Sequence, residues 1–222
     1  AADRSFPESS VFSIGETVGS SFIDFHGDSS PFYCMLQALQ LRQARFDVIE
    51  MQGNMMYVSK QQYNPAFNPL NFFAILDQYS DFGRPLEIDQ IQVTGLPAGP
   101  KGEEDQAVAV RNIYRLCFSH PSVESIGWWN LDDGKQHMSE GDWLPGLLRA
   151  DLSPKPAYLA LQKLIRQEWW TRLSLNSGSS EVVKVQGFYG WYKLTAKHGG
   201  KVIQRDIHLT KQGSNRYDII LR

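Results

Sequence analysis

Trp128, Trp129, Asp132 and Asp133 close the run Ser125-Ile126-Gly127-Trp128-Trp129-Asn130-Leu131-Asp132-Asp133, which reads as a buried strand ending in aromatic and acidic side chains. Flat aromatic faces with a polar handle suit stacking on a ring, and carboxyl groups can transfer protons or attack as nucleophiles. Other acids within apolar runs include Glu16, Glu50, Glu87 and Asp89. The neighbouring segment Gly146 to Tyr158, with Ser153-Pro154-Lys155-Pro156, leads from a loop into a helix. Aromatic and acidic groups at the open end of a strand, followed by a loop and a helix, are the arrangement by which barrel enzymes build their sites.

The elements that must hold these residues repeat four times. Short apolar runs at Val11 to Glu16, Phe46 to Gly53, Leu86 to Val93 and Val123 to Leu131 each precede a segment of helical period. Those helices are expected over Pro31 to about Gln43 (with Phe32, Met35, Leu36 and Leu39 inward), Asn68 to Tyr79, from near Glu103 (with Val108, Ile113, Leu116 and Phe118), and Pro156 to Trp170. Four consecutive βα units predict a parallel sheet or barrel. They are also only half of an eightfold barrel, which takes about 250 residues. The fold class expected is therefore α/β, half of a (β/α)8 barrel over residues 1–174.

After Asn176-Ser177-Gly178-Ser179-Ser180 the period changes to alternation, predicting strands at Val182 to Val185, Phe188 to Ala196, Val202 to Leu209 and Tyr217 to Leu221. His198-Gly199-Gly200 reads as a hairpin turn. Residues 175–222 are thus expected to form a small antiparallel, sandwich-like β-module packed on the barrel piece, with Trp169-Trp170 beneath it. Its Gly187 to Tyr192 stretch reads as module packing or as a stacking platform.

Composition narrows the class further. The 222 residues are 42% hydrophobic and 21% charged, with a formal net charge of −2 and no basic run. An ordinary globular protein follows, without the footprint of a nucleic-acid binder, and a neutral polysaccharide suits the balance better. Cys34 and Cys117 read as two buried free thiols, no metal-ligand spacing occurs, and no cofactor is implied. No signal peptide is visible at Ala1-Ala2-Asp3-Arg4-Ser5.

From about Phe12 to Thr171 the chain resembles strands five to eight of family 10 glycoside hydrolases, the endo-β-1,4-xylanase type. Phe46 to Met55 resembles the sixth strand, with Gln52 inside the Leu-Gln-Gly wording and Asn54 where the family has a His. Phe82 to Ile91 resembles the seventh, and the family's nucleophilic Glu falls on Gln90. The start of the Glu103 helix, Ser119-His120-Pro121, Trp128-Trp129 and Ser153 to Tyr158 follow in the family's order.

The resemblance implies a barrel acting on or binding β-1,4-linked plant polysaccharide, with Gln90 at the catalytic position. It places Asn54, Gln52, Trp128, Trp129, Asp132 and Asp133 as candidate substrate contacts, and a secreted or periplasmic setting. An amide cannot form the glycosyl-ester intermediate, and no segment resembles the family's acid/base strand. The isolated chain is therefore expected to be inactive. It reads as an enzyme fragment, a carbohydrate-binding pseudo-enzyme or a protein-interaction module, completed by a second chain or a second copy.

Among the remaining residues, one of Trp128 and Trp129 faces inward, and Asp132 and Asp133 serve either the site or a solvated or helix-capping turn. Glu87 and Asp89 are expected opposite to Gln90, in salt bridges of the strand–helix layer rather than reaching the sugar site. Glu16 reads as loop-positioning and His120 as helix-terminal. Glu50, where the family has a small residue, is left without a role.

Overall fold

The structure, a computed structural model, describes residues 6–16, 20–23, 25–54, 68–135, 142–178 and 182–220. Met55, Ser179, Ser180 and Leu221 of the motifs above lie outside them. The chain divides into two compact units, Ala1–Leu161 and Gln162–Arg222.

The first unit is a parallel sheet in the order β1 (Ser13–Gly15), β2 (Val48–Asn54), β3 (Leu86–Gln92), β4 (Val123–Trp128). Between the strands run α1 (Ser20–Ile23), α2 (Pro31–Leu41), α3 (Pro69–Ser80) and α4 (Pro100–Ser119), and α5 (Pro156–Lys163) follows β4. Pro begins α2, α3, α4 and α5, where its missing N–H costs no intrahelical bond. The Asn68 side chain also caps α3 by accepting from the Leu70 N–H at 3.0 Å.

Ile49, Met51, Leu86, Ile88 and Ile91 are fully buried on the helix-bearing face, against a layer that includes Leu36, Phe72, Ile75, Leu76 and Val110. That face is the unit's core. Among the described residues β1 and β4 each have one strand neighbour, so the sheet is open at both edges.

The interior positions of two helices differ from expectation. Met35, Val108 and Phe118 are exposed, while α2 buries Phe32 and Leu36 and α4 buries Gln106, Val110, Ile113, Tyr114 and Cys117. The faces that pack are those matching the sheet, and a few apolar residues fall outside the stripe. Cys34 is likewise exposed, on the helix side away from Phe32 and Leu36, while Cys117 is buried; both are free thiols.

In the second unit, the end of α5 passes into a π-helical turn at Leu164–Glu168. One antiparallel hairpin then follows, β5 (Gly190–His198) and β6 (Lys201–Leu209), turning at Gly199-Gly200 with φ of +54° and +79°. The runs 182–185 and 217–220 carry no strand, so the described part of this unit is a two-stranded ribbon rather than a sandwich. Strand propensity without a partner ladder does not make a strand. The Tyr192 hydroxyl fastens the hairpin by donating to the Phe188 carbonyl at 2.7 Å and bonding Thr171 Oγ1 at 3.1 Å.

Candidate functional site

The C-terminal ends of β2, β3 and β4 lie side by side. Asn54 pairs with Gln92, and Ile91 with Trp128, so the strand-end positions expected from sequence come together along one rim. Gln90 has φ of +52° inside β3, and the register of β3 against β4 shifts between Ile88 and Ile91. It is a bulged residue in the left-handed region, which is unfavourable for a side chain larger than Gly. Such local strain persists only where surrounding structure imposes it, and it clusters at functional sites. Its own N–H donates to Asp89 Oδ1 at 2.7 Å.

The bulge also changes where the acids go. Glu87 and Asp89 do not enter the strand–helix layer, which Leu86 and Ile88 fill; they project from the opposite, inner face, in register with Glu50 and Gln52. Glu50 acquires a role there. Its carboxyl accepts from the Ser13 hydroxyl at 3.3 Å and shares a hydrogen bond with Asp89. Partial burial, then that bond and the Asp89 charge, push its pKa above the ordinary carboxylate value. Gly127 completes the arrangement, because a Cβ there would meet Asp89 Oδ1 at 2.5 Å.

Of the two aromatics, Trp128 is half-buried, its indole N–H donating to the Asn130 carbonyl at 2.7 Å, and Trp129 is 45% exposed. The Trp129 N–H donates to the Ile91 carbonyl at 3.1 Å, which extends the ladder beyond β4 and sets this residue beside the end of β3. Trp129 therefore offers the accessible indole.

Asp132 and Asp133 are not part of that surface. Asp132 Oδ1 accepts from the Gly134 N–H at 2.9 Å in a tight turn. Asp133 is buried, accepting from the Gly146 N–H at 2.7 Å through one oxygen and paired with Lys155 Nζ at 2.5 Å through the other. Its carboxylate is occupied within the loop, because a buried charge is stable only when paired. Lys155, 1% exposed, also donates to the Leu144 carbonyl at 2.8 Å.

The same loop is tied to the segment that follows β3 by the Trp143 carbonyl, which accepts from the Gly95 N–H at 2.9 Å and the Thr94 hydroxyl at 2.8 Å. Trp143 is thus a further half-exposed aromatic held at the β3 end of the rim. Sequence reasoning missed it; its only signal was a Trp in a loop closing on Gly146. Gln106 adds a third tie, its amide donating to the Leu144 carbonyl at 3.3 Å and to the Val93 carbonyl at 2.9 Å. A bidentate bond from Arg149 to Glu103, at 2.8 and 2.6 Å, joins the loop to α4.

Glu16 is buried, both carboxylate oxygens receiving the Ser21 N–H at 2.8 Å, a loop-positioning contact. His120 ends α4, its Nδ1 accepting from the Ser122 N–H and its Nε2 lying 3.2 Å from Asp77 Oδ1. Among the described residues no group of three His, Cys, Asp or Glu side chains is placed to hold a metal ion.

No family model matches the sequence. The chain is 30% identical over 128 residues to the anti-sigma-I factor RsgI6 of Acetivibrio thermocellus, over 58% of this chain and 16% of that protein. Among solved structures it is similar to the CBM22-1–GH10 modules of the Clostridium thermocellum endo-1,4-beta-D-xylanase 10B complexed with xylohexaose, with TM-score 0.58 and 17% identity, covering 76% of this chain and 32% of that one. It is also similar to Thermotoga maritima xylanase 10B, with TM-score 0.54 and 20% identity over 71% of this chain and 47% of that one. The Thermotoga petrophila xylanase 10B complex with xylobiose gives TM-score 0.50 and 21% identity, over 62% of this chain and 41% of the other. The chain spans less than half the length of these xylanases. At such identities the likeness is one of architecture: the parallel-stranded unit has the fold of part of a family 10 xylanase barrel.

Proposed function

We propose that this chain is the sugar-recognising second half of a family 10 xylanase-type barrel and holds β-1,4-linked plant polysaccharide without cleaving it. The observation that carries this reading is Gln90, an amide on a bulged, left-handed backbone at the strand end where the family resemblance places a nucleophilic Glu. An amide there can donate and accept hydrogen bonds to sugar hydroxyls but cannot form a glycosyl ester. Trp129 supplies the stacking face, and the strand-end positions of Gln90 and Asn54 supply polar contacts along the rim. The xylanases of similar fold that hold xylobiose and xylohexaose support the substrate class.

Strands one to four of the barrel come from another segment or another polypeptide, which the open edges of β1 and β4 would accept. A setting outside the cytoplasm belongs to the same proposal. The similarity to part of an anti-sigma-I factor favours a second reading, in which sugar held at this rim is a signal rather than a substrate.

Reducing-sugar release from xylan and calorimetry with xylohexaose, run on the wild type, Gln90→Glu and Trp129→Ala, test the proposal together. The expected result is no release by any of the three, with binding that Trp129→Ala abolishes. Brisk hydrolysis by the unmodified chain would overturn it. Absence of both binding and hydrolysis would move the assignment to a protein-interaction module.

A further inference from the structure

The net charge of the whole chain conceals a division between its two units. Residues 1–161 carry eleven Lys and Arg against twenty Asp and Glu, net −9, while residues 162–222 carry eleven against four, net +7. Charge asymmetry of this size marks a basic module with an anionic partner.

The β5–β6 hairpin presents a surface suited to one. Trp191 pairs with His208, and their rings are stacked at 4.4 Å with an interplanar angle of 5°. Trp191 is 74% exposed. The register puts Lys193 opposite Asp206, Thr195 opposite Gln204 and Lys197 opposite Val202 on the same side of the ladder, and all of these side chains are exposed. The other side carries Tyr192 and buried Ile207, anchored within the unit. One face is therefore committed to packing and the other is open, with its aromatic pair already ordered.

We propose that this open face binds an acidic polysaccharide, specifically a xylan bearing uronic acid branches. This deepens the polysaccharide reading above and rests on it for the backbone sugar. A pyranose ring stacks on the outward face of the Trp191 indole, whose other face His208 supports. At about 3.4 Å per residue, Lys193 lies about 7 Å along the ribbon from Trp191 and Lys197 about 20 Å. A polymer lying along the ribbon thus meets one aromatic platform and then two ammonium groups, with the Thr195 and Gln204 side chains between them. Widely spaced cations interrupted by Asp206 match carboxylates that occur at intervals on a chain. They match poorly a nucleic-acid backbone with a phosphate at every nucleotide.

Affinity electrophoresis of the full chain through gels containing glucuronoxylan, carboxyl-reduced glucuronoxylan or neutral arabinoxylan tests this, with oligo-dT titrated separately. Glucuronoxylan should retard the wild type most, and Trp191→Ala should cut its excess retardation over the carboxyl-reduced polymer about tenfold or more. The double variant Lys193→Gln/Lys197→Gln should bind glucuronoxylan no better than the carboxyl-reduced polymer. Raising salt from about 0.05 to about 0.5 M should erase the same difference. Trp129→Ala should lower retardation by all three xylans alike and leave the excess for glucuronoxylan over the carboxyl-reduced polymer, which separates the hairpin from the barrel rim. Equal retardation by neutral and acidic xylans, retardation unchanged in Trp191→Ala, or tighter binding of oligo-dT would overturn the proposal. Loss of xylohexaose binding with retained, Trp191-dependent glucuronoxylan binding would overturn the barrel reading instead.

Discussion

Replacing Lys155 by Met keeps the volume of the side chain and removes its charge from a site that is 1% exposed. The variant takes the Lys155 ammonium from the Asp133 carboxylate, which also accepts from the Gly146 N–H, and strips the Leu144 carbonyl of the Nζ bond at 2.8 Å. Breaking a buried ion pair by removing one partner costs about 3–5 kcal/mol, because an uncompensated charge remains. For a unit of this size each kcal/mol lowers Tm by about 2–4 °C, so the expected loss is about 6–20 °C. Asp133→Asn/Lys155→Met should recover at least half of that loss, since no charge is then stranded. The carbonyls of Trp143 and Leu144 anchor the same loop, so the single variant should also loosen the rim and weaken sugar binding before the unit unfolds. Urea denaturation of the wild type, both single variants and the double variant closes the cycle. A cost for Lys155→Met under about 1 kcal/mol, or no coupling with Asp133→Asn, would refute the view that this pair locks the loop.

Three further outcomes follow from the inner face and the thiols. Glu50 has a raised pKa, so its favourable contribution is present when it is protonated and is lost as pH rises through its folded value; Glu50→Gln should stabilise the fold by about 1 kcal/mol at pH 7.5 and give no gain near pH 4 in paired denaturation curves. Gly127→Ala places a methyl 2.5 Å from Asp89 Oδ1 and should cost about 1–3 kcal/mol by the same assay, with Asp89→Ser in the same chain relieving part of it. Burial pushes the Cys117 thiol up to about 12 while Cys34 is exposed, so iodoacetamide should label Cys34 alone in the native protein and both residues after denaturation, as mass spectrometry of peptides would show.

The strands of the first unit were legible because a buried parallel strand writes its core side directly into the sequence: Ile49 and Met51 on β2, Leu86 and Ile88 on β3. The strict alternation that finds such strands also misplaced Glu87 and Asp89. It assumes a regular backbone, whereas the bulge at Gln90 lets Ile88 and Ile91, three positions apart, share the helix-bearing side. Asp133 could not be resolved from sequence because its partner Lys155 lies across a loop, and local spacing does not encode such closures. The second unit illustrates a different limit, since Val182 to Val185 has the composition of a strand yet forms none in the described residues. The charge division was hidden because opposite excesses in the two units nearly cancel.

The central claim, that the rim holds sugar without cleaving it, is tested most directly by titrating xylohexaose into the chain in a calorimeter and then analysing the recovered sugar by chromatography. The account predicts saturable heat at one site, absent in Trp129→Ala, and xylohexaose recovered intact. Shorter xylo-oligosaccharides accumulating in the cell with the wild type would contradict it.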